Sequence, residues 1–420
     1  MAKKVTATIL FVDIMDSMEM ANYWDTRKYS DFLNEFQRVM QDSICLWRTG
    51  IKQVKLAGDE LVVFYCSNDI AEDILNAIQL ANTLKILWYV SYTNWRRVRE
   101  GKKILDLGIG INTGDVTYEH RPVVKKLEKL LPKRKTFEGL PISLAKRIES
   151  FSRQGRYSRI MVGHRTMAEL NKLYHHYECE SMGLQRLKGM SQEIPVFELK
   201  SCYSLEGEIL GELPDLGWAV TQLERIKVFE PSNIWLLMTL IDIYRNKKNY
   251  KRVEKLCREA IAIDDSVVNI HDELGISLWN QKKYKEAIEY FNNSIRLKWN
   301  SWYSYVGKSA CLIYLGLYDE CIKNCTYAIK NIPVLLKKEF CKYLHYNMAA
   351  AFARKGNKNG ALTNIKKAVD LGGREVIKEL KKDEDKDFTN LYDNSKFKQI
   401  LQGSLRKIRK DRRKKGGNKP

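Results

Sequence analysis

The apolar positions of the chain change period several times, and each change marks an element. Ile9-Leu10-Phe11-Val12 is a continuous apolar run with β-branched members, which predicts a buried strand ending at Asp13. From Ser17 to Trp47, the residues Phe32, Phe36, Val39, Met40, Ile44 and Trp47 recur at helical spacing. They predict one amphipathic helix packed on that strand and stopped at Gly50. Two short apolar runs then flank Gly58-Asp59, which is the signature of a hairpin. A helix is expected from Ile70 to about Tyr89, followed by a strand over Leu105–Asn112 whose glycines permit close backbone approach. A basic, irregular insertion (His120 to Lys135) precedes a helix on which Ser143 and Arg147, spaced i,i+4, share a face. The strand Arg159–Gly163, a short helix, and a hairpin from Leu187-Lys188-Gly189 to Val196–Leu199 complete an α+β domain near residue 200.

Beyond a linker at 201–215 the period lengthens. Tyr250, Tyr284 and Tyr318 are each 34 residues apart, as are Ala260, Ser294 and Ala328. Small and aromatic residues at that interval are the spacing of tetratricopeptide repeats, predicting an all-α solenoid over 216–373. Such solenoids present a concave surface to a peptide or protein partner. Residues 374–403 are expected to be capping helices or a charged spacer, and 404–420 a basic disordered tail.

Composition narrows the class without naming it. The 420 residues exceed one core, and 44% hydrophobic with 29% charged residues describes a soluble globular protein. No apolar run is long enough to span a bilayer and no signal-peptide core follows Met1, so a cytoplasmic location is expected. Nine scattered cysteines without a C-x-x-C pair read as reduced thiols. The net charge of +21 suggests a polyanion, but much of it lies in the tail LRKIRKDRRKKGGNKP. Contact with nucleic acid is therefore expected only there, if at all.

The candidate chemistry begins at Asp13. Read alone, Asp13 or Ser17 would be a cap for the next helix. A carboxylate ending a buried strand at a helix start also suits a metal-bound triphosphate, and Asp59 in the following hairpin turn supplies a second.

Five blocks in order, FVDIMDS, VKLAGDELVVF, LGIGINTGDV, EGLPISLAKRIES and LKG…VFEL, closely resemble the catalytic domain of class III nucleotide cyclases over about residues 5–200. The resemblance implies a palm-type, ferredoxin-like antiparallel sheet with helices. It also implies conversion of a nucleoside triphosphate into a 3′,5′-cyclic nucleotide and pyrophosphate. Asp13 and Asp59, with the carbonyl of Ile14, match the family's ligands for two divalent cations, Mn²⁺ or Mg²⁺. The amides of Ile14, Met15, Asp16, Ser17 and Met18 would hold phosphates. Arg147 matches the arginine that stabilises the transition state, and Lys188 resembles a phosphate-contacting lysine. Ser143 stands where asparagine is usual, and would meet the ribose with a single donor. The family divides these residues between two subunits, so a homodimer with composite sites is implied.

Lys55 and Thr136 fall at base-reading positions of the family and nominally favour ATP. The block EGLPISLAKRIESFSRQGRYSRI instead resembles stand-alone bacterial anti-phage cyclases that make cyclic UMP or cyclic CMP. The expectation leans to a pyrimidine triphosphate, with ATP as the alternative. A catalytically degenerate scaffold that pairs the repeat domains is the alternative of another class.

Overall fold

A computed structural model describes residues 3–46, 48–121, 134–173, 177–202, 216–382 and 386–402. The chain divides into two compact units, Met1–Lys247 and Lys248–Pro420.

The first unit is built on a sheet whose strands run in the order β2-β3-β1-β4-β6-β8-β7, with β5 added to β4. They are β1 (Lys3–Ile14), β2 (Ile51–Ala57), β3 (Glu60–Tyr65), β4 (Leu107–Arg121), β5 (Arg134–Glu138), β6 (Ile160–Gly163), β7 (Tyr177–Gln185) and β8 (Ile194–Cys202). All pairings are antiparallel except β4 with β6, which is parallel and makes the sheet mixed. β1 is central and buried on both faces, which is why it reads as an unbroken apolar run. Leu10, Val12 and Ile14 enter one core and Ile9 and Phe11 the other. Strand alternation therefore places Asp13 on the Ile9 and Phe11 side.

The helices of this unit are α1 (Ser17–Tyr23), α2 (Thr26–Leu46), α3 (Ile70–Tyr89), α4 (Tyr92–Arg99), α5 (Leu140–Phe151), α6 (His164–Leu173), α7 (Leu216–Phe229) and α8 (Ile234–Asn246). The single helix expected from Ser17 to Trp47 is two. Asp25 breaks it, accepting the Lys28 amide at 2.9 Å and so starting α2 afresh. Phe32, Phe36, Val39 and Met40 are buried on the β1 core as expected, while Trp47 lies outside the described residues. The strand expected to end at Asn112 runs on to Arg121, because β4 pairs with the whole length of β1 from Lys3–Tyr118 to Ile14–Leu107 and then with β5 over Glu119–Arg121. Helix α4, which the apolar pattern does not announce, is started by Ser91, whose hydroxyl accepts the Asn94 amide. Leu187-Lys188-Gly189 is not strand: it lies in the connection between β7 and β8.

Gly110 on β4 is what lets α5 lie against the sheet. A Cβ there would meet the backbone nitrogen of Glu149 at 2.3 Å and the carbonyl of Ala145 at 2.5 Å. Close backbone approach is the role the sequence suggested for these glycines.

The second unit is helical among its described residues: α9 (Tyr250–Ile263), α10 (Val268–Asn280), α11 (Tyr284–Leu297), α12 (Trp302–Tyr314), α13 (Tyr318–Asn331), α14 (Lys337–Arg354), α15 (Lys358–Gly372) and α16 (Arg374–Lys382). Helices α8, α10 and α12 start 34 residues apart, and so do α9, α11 and α13. The Phe291 ring of α11 packs where Gly275 and Gly307 leave room, since a Cβ at either would meet it under 3 Å. The buried Asp272 carboxylate is held by the hydroxyls of Ser294, Ser301 and Ser304. The described cysteines are free. Among the described residues no helix is long and apolar enough to cross a membrane.

Candidate active site

The turn after β1 brings the two aspartates together. Asp16 takes a left-handed conformation (φ 65°) at the start of α1, and its side chain does not cap the helix. Ser17 is not a cap either: its hydroxyl donates to Oδ2 of Asp59, in the turn between β2 and β3. Asp13 lies opposite Glu60 in the β1–β3 register, and opposite Gly108 on β4. The hairpin thus carries Asp59 back beside the end of β1, so two carboxylates share one edge of the sheet.

Burial pushes the Asp13 carboxyl up to about 7, with Glu149 and Asp59 adding repulsion and Lys146 offsetting part of it. Lys146, which the sequence reading did not single out, reaches from α5 into this acidic cluster. Its ammonium is 3.7 Å from Asp13, 2.5 Å from Glu60 and 3.1 Å from Glu149. Burial disfavours its charge, yet Glu60, Glu149 and Asp13 outweigh that and hold its proton more firmly than usual. Glu149 is buried, its carboxyl is pushed up by desolvation, and its Oε1 has no hydrogen-bond partner. The signal for Lys146 was its position three residues before Glu149 on α5, facing the same strand end as Asp13.

This surplus of negative charge fits a cation, and all-oxygen donors fit a hard divalent one. Among the described residues no three His, Cys, Asp or Glu side chains are grouped as a metal site.

The other expected residues are placed as follows. The Met15 amide donates to the carbonyl of Asp106 at 2.9 Å, so this one of the five phosphate-binding amides is already bonded within the chain. Ile14 is paired with Leu107 in the sheet. Asp16, Ser17 and Met18 remain as the opening turn of α1, whose first amides have no intrahelical acceptor. Arg147 and Ser143 share a face of α5, but the Arg147 guanidinium donates to the carbonyl of Lys188 and not to Asp13 or Asp59. Lys188 itself is exposed. Lys55 on β2 is exposed, with its ammonium 5.3 Å over the Phe64 ring. Phe64 in turn stacks on Phe137 at 4.7 Å. Thr136, next to Phe137, pairs through β5 with Glu119. Lys55 and Phe137 therefore share one face of the sheet, through Phe64.

Residues 1–201 match the family model described as "Adenylate and Guanylate cyclase catalytic domain". No curated protein matches the chain. Similar solved structures include the adenylyl cyclase CyaB from P. aeruginosa, 21% identical with a TM-score of 0.41, covering 49% of this chain and 98% of that one. The guanylyl cyclase Cya2 is 18% identical with a TM-score of 0.40, covering 49% and 97%. The guanylyl cyclase domain of the RhoGC fusion protein from the aquatic fungus Blastocladiella emersonii is 16% identical with a TM-score of 0.35, covering 46% and 96%. Residues 1–201 are a nucleotide cyclase catalytic domain of the adenylate and guanylate cyclase type.

Proposed function

We propose that the protein cyclises a nucleoside triphosphate, with a pyrimidine base favoured, to make a second messenger of bacterial anti-phage defence. The 3′-oxygen forms a bond to the α-phosphorus, the bond from that phosphorus to the bridging oxygen breaks, and pyrophosphate leaves with the electron pair. The hydroxyl proton passes to solvent. Divalent cations bound by Asp13, Asp59 and the Ile14 carbonyl would lower the pKa of the 3′-hydroxyl and neutralise the triphosphate.

The chain's own groups orient the rest. The opening turn of α1, from Asp16 to Met18, offers amides to the phosphates. Arg147 would stabilise the charge that grows on the phosphoryl oxygens. Ser143 would hold the ribose, and Lys188 would touch the leaving phosphates. Within one chain Arg147 is turned to the Lys188 carbonyl, while Asp13 faces Lys146 and Asp59 is held by Ser17. That separation supports a homodimer in which one subunit supplies the aspartates and its partner the arginine. Helices α7–α15 are read as tetratricopeptide repeats that dock a peptide or protein and control the pairing of cyclase domains.

The observation that carries the reading is the approach of Asp59, held by the Ser17 hydroxyl, to Asp13 at the end of β1. Adenine is the second reading, favoured by Lys55 and Thr136 falling at the base-reading positions that the resemblance implies. Incubation of the purified protein with each of the four ribonucleoside triphosphates and Mn²⁺ tests both. Cyclic UMP or cyclic CMP is expected. Cyclic AMP alone would replace the pyrimidine reading. No cyclic product from any substrate, with Asp13→Ala indistinguishable from wild type, would leave the scaffold.

A further inference from the structure

The cyclase domain and α8 meet at a buried polar cluster that the chemistry above does not use. Trp235 of α8 is 3% exposed, and its indole N–H donates to Oδ1 of the buried Asn82 at 3.0 Å. Its ring packs edge-on against Tyr89 at 5.2 Å. The ammonium of Lys85 lies 5.3 Å over the Trp235 ring and 5.4 Å over that of Tyr89. Asn233, which starts α8, donates to the Tyr89 hydroxyl at 3.4 Å.

Lys85 is 1% exposed and pairs with Oδ1 of Asp106 at 2.7 Å. The same Asp106 oxygen accepts the Leu107 amide at 2.7 Å, and Oδ2 accepts Arg159 at 3.0 Å. The carbonyl of Asp106 accepts the Met15 amide at 2.9 Å. Met15 precedes Asp16 and Ser17, and Ser17 holds Asp59. A continuous run of contacts thus joins α8 to the turn that positions both site aspartates.

A buried ion pair is a weak source of stability, because desolvating two charges cancels most of their attraction. What such a pair does supply is a fixed place for the groups bonded to it. We propose that Lys85 is a positioning residue that couples the seating of α8 to the Met15 turn through Asp106. Movement of Trp235 off the ammonium removes one wall of its pocket, loosens the hold on Asp106, and frees the strand end from which Met15 hangs. The first helices after the linker then act on the catalytic turn from within the same compact unit. The functional part of this inference rests on reading residues 16–18 as the triphosphate cradle.

Hydrogen exchange on the full chain tests it, first without ligand. Trp235→Leu keeps an apolar side chain but removes the aromatic face and the donor. Exchange of the Met15 amide is expected to quicken about fivefold, the lower range of measured site-to-site couplings. Trp235→Phe, which keeps a ring over Lys85, is expected to restore it. Unchanged Met15 exchange in a folded Trp235→Leu protein overturns the proposal. Should that variant not fold, Asn82→Ala, which removes only the acceptor of the indole N–H, is judged by the same two outcomes.

The second arm adds each 3′-deoxynucleoside triphosphate, which cannot cyclise, with Mn²⁺. Because coupling is reciprocal, slower exchange at 14–18 is expected together with slower exchange at 233–238. Slowing at 14–18 alone overturns the coupling. Absence of slowing at 14–18 with every base overturns the triphosphate reading, and the ligand-free arm then decides the coupling by itself.

Discussion

The ammonium of Lys146 stands 3.7 Å from the carboxylate of Asp13, on the face of the sheet where α5 crosses the end of β1. It also touches Glu60 and Glu149, and together with the more distant Arg153 its charge offsets the acidic cluster. Any divalent ion held by Asp13 would compete with it for the same negative potential.

Removing that competitor is expected to tighten metal binding. Lys146→Gln should lower the dissociation constant for Mn²⁺ by about tenfold, equivalent to roughly 1.4 kcal/mol, measured by calorimetry on the nucleotide-free protein. Weaker binding in the variant would mean that Lys146 supports the ion site instead of opposing it.

Asp13 sets a pH dependence of stability with a definite sign. Its carboxyl is raised from 3.8 to about 7 in the folded protein, mainly by burial. Between those values the folded state keeps a proton that the unfolded chain has released, so this group's contribution to stability falls as pH rises. Without metal, Asp13→Asn should therefore melt a few degrees above wild type at pH 8 and close to it at pH 4. Saturating Mn²⁺ should reverse the order at pH 8, since an ion on Asp13 compensates the charge in wild type alone. Thermal melts at the two pH values check this; an unchanged difference between them refutes it.

Composite sites predict complementation. Asp13→Ala and Arg147→Ala should each be nearly inactive as homodimers. Mixed in equal amounts and allowed to exchange, they should recover about one quarter of wild-type activity, because half of the dimers form with one intact site each. Recovery of no activity after confirmed exchange would place both residues in one subunit's site.

Ser143 offers one donor where an amide would offer two. Ser143→Asn is expected to lower the KM for the triphosphate without changing the fold, and Ser143→Ala to raise it. Steady-state kinetics on the preferred substrate distinguish the two directions.

Gly110 carries a structural prediction. A methyl group there collides with the backbone of Glu149 and Ala145, so Gly110→Ala should force α5 off the sheet. Overpacking of this kind costs about 1–3 kcal/mol, and activity should fall with it because Lys146, Arg147 and Ser143 ride on the same helix. Denaturant unfolding of the variant measures the loss.

Much of this was written in local pattern. The unbroken apolar run of β1, the Gly58-Asp59 turn, the helix from Ile70 to Tyr89 and the 34-residue period each follow from one short stretch and its neighbours. The strand end at Asp13 and the turn at Asp59 were legible because each sits where a buried run stops. The break at Asp25 was missed because the apolar positions that predict the helix all lie beyond it, from Phe32 on, and a side-chain cap leaves no trace in hydrophobic periodicity. The full length of β4 was obscured because Thr113 to Tyr118 becomes strand by pairing with β1, a partner distant in the chain, and Glu119 to Arg121 by pairing with β5.

The amino-acid order settled which residues could do chemistry: two carboxylates at strand ends, an arginine and a serine one turn apart, and a run of amides at a helix start. Tertiary structure decided which of them meet. Ser17 joins Asp59 because the hairpin folds back onto β1, and Lys146 enters the cluster because α5 crosses that edge over Gly110. Met15 is committed to Asp106, and Asp106 to Lys85, because α3 packs against the start of β4. Electrostatic and hydrogen-bond partners act over a few ångströms of space, and only the folded chain brings residues separated by tens to more than a hundred positions within that reach.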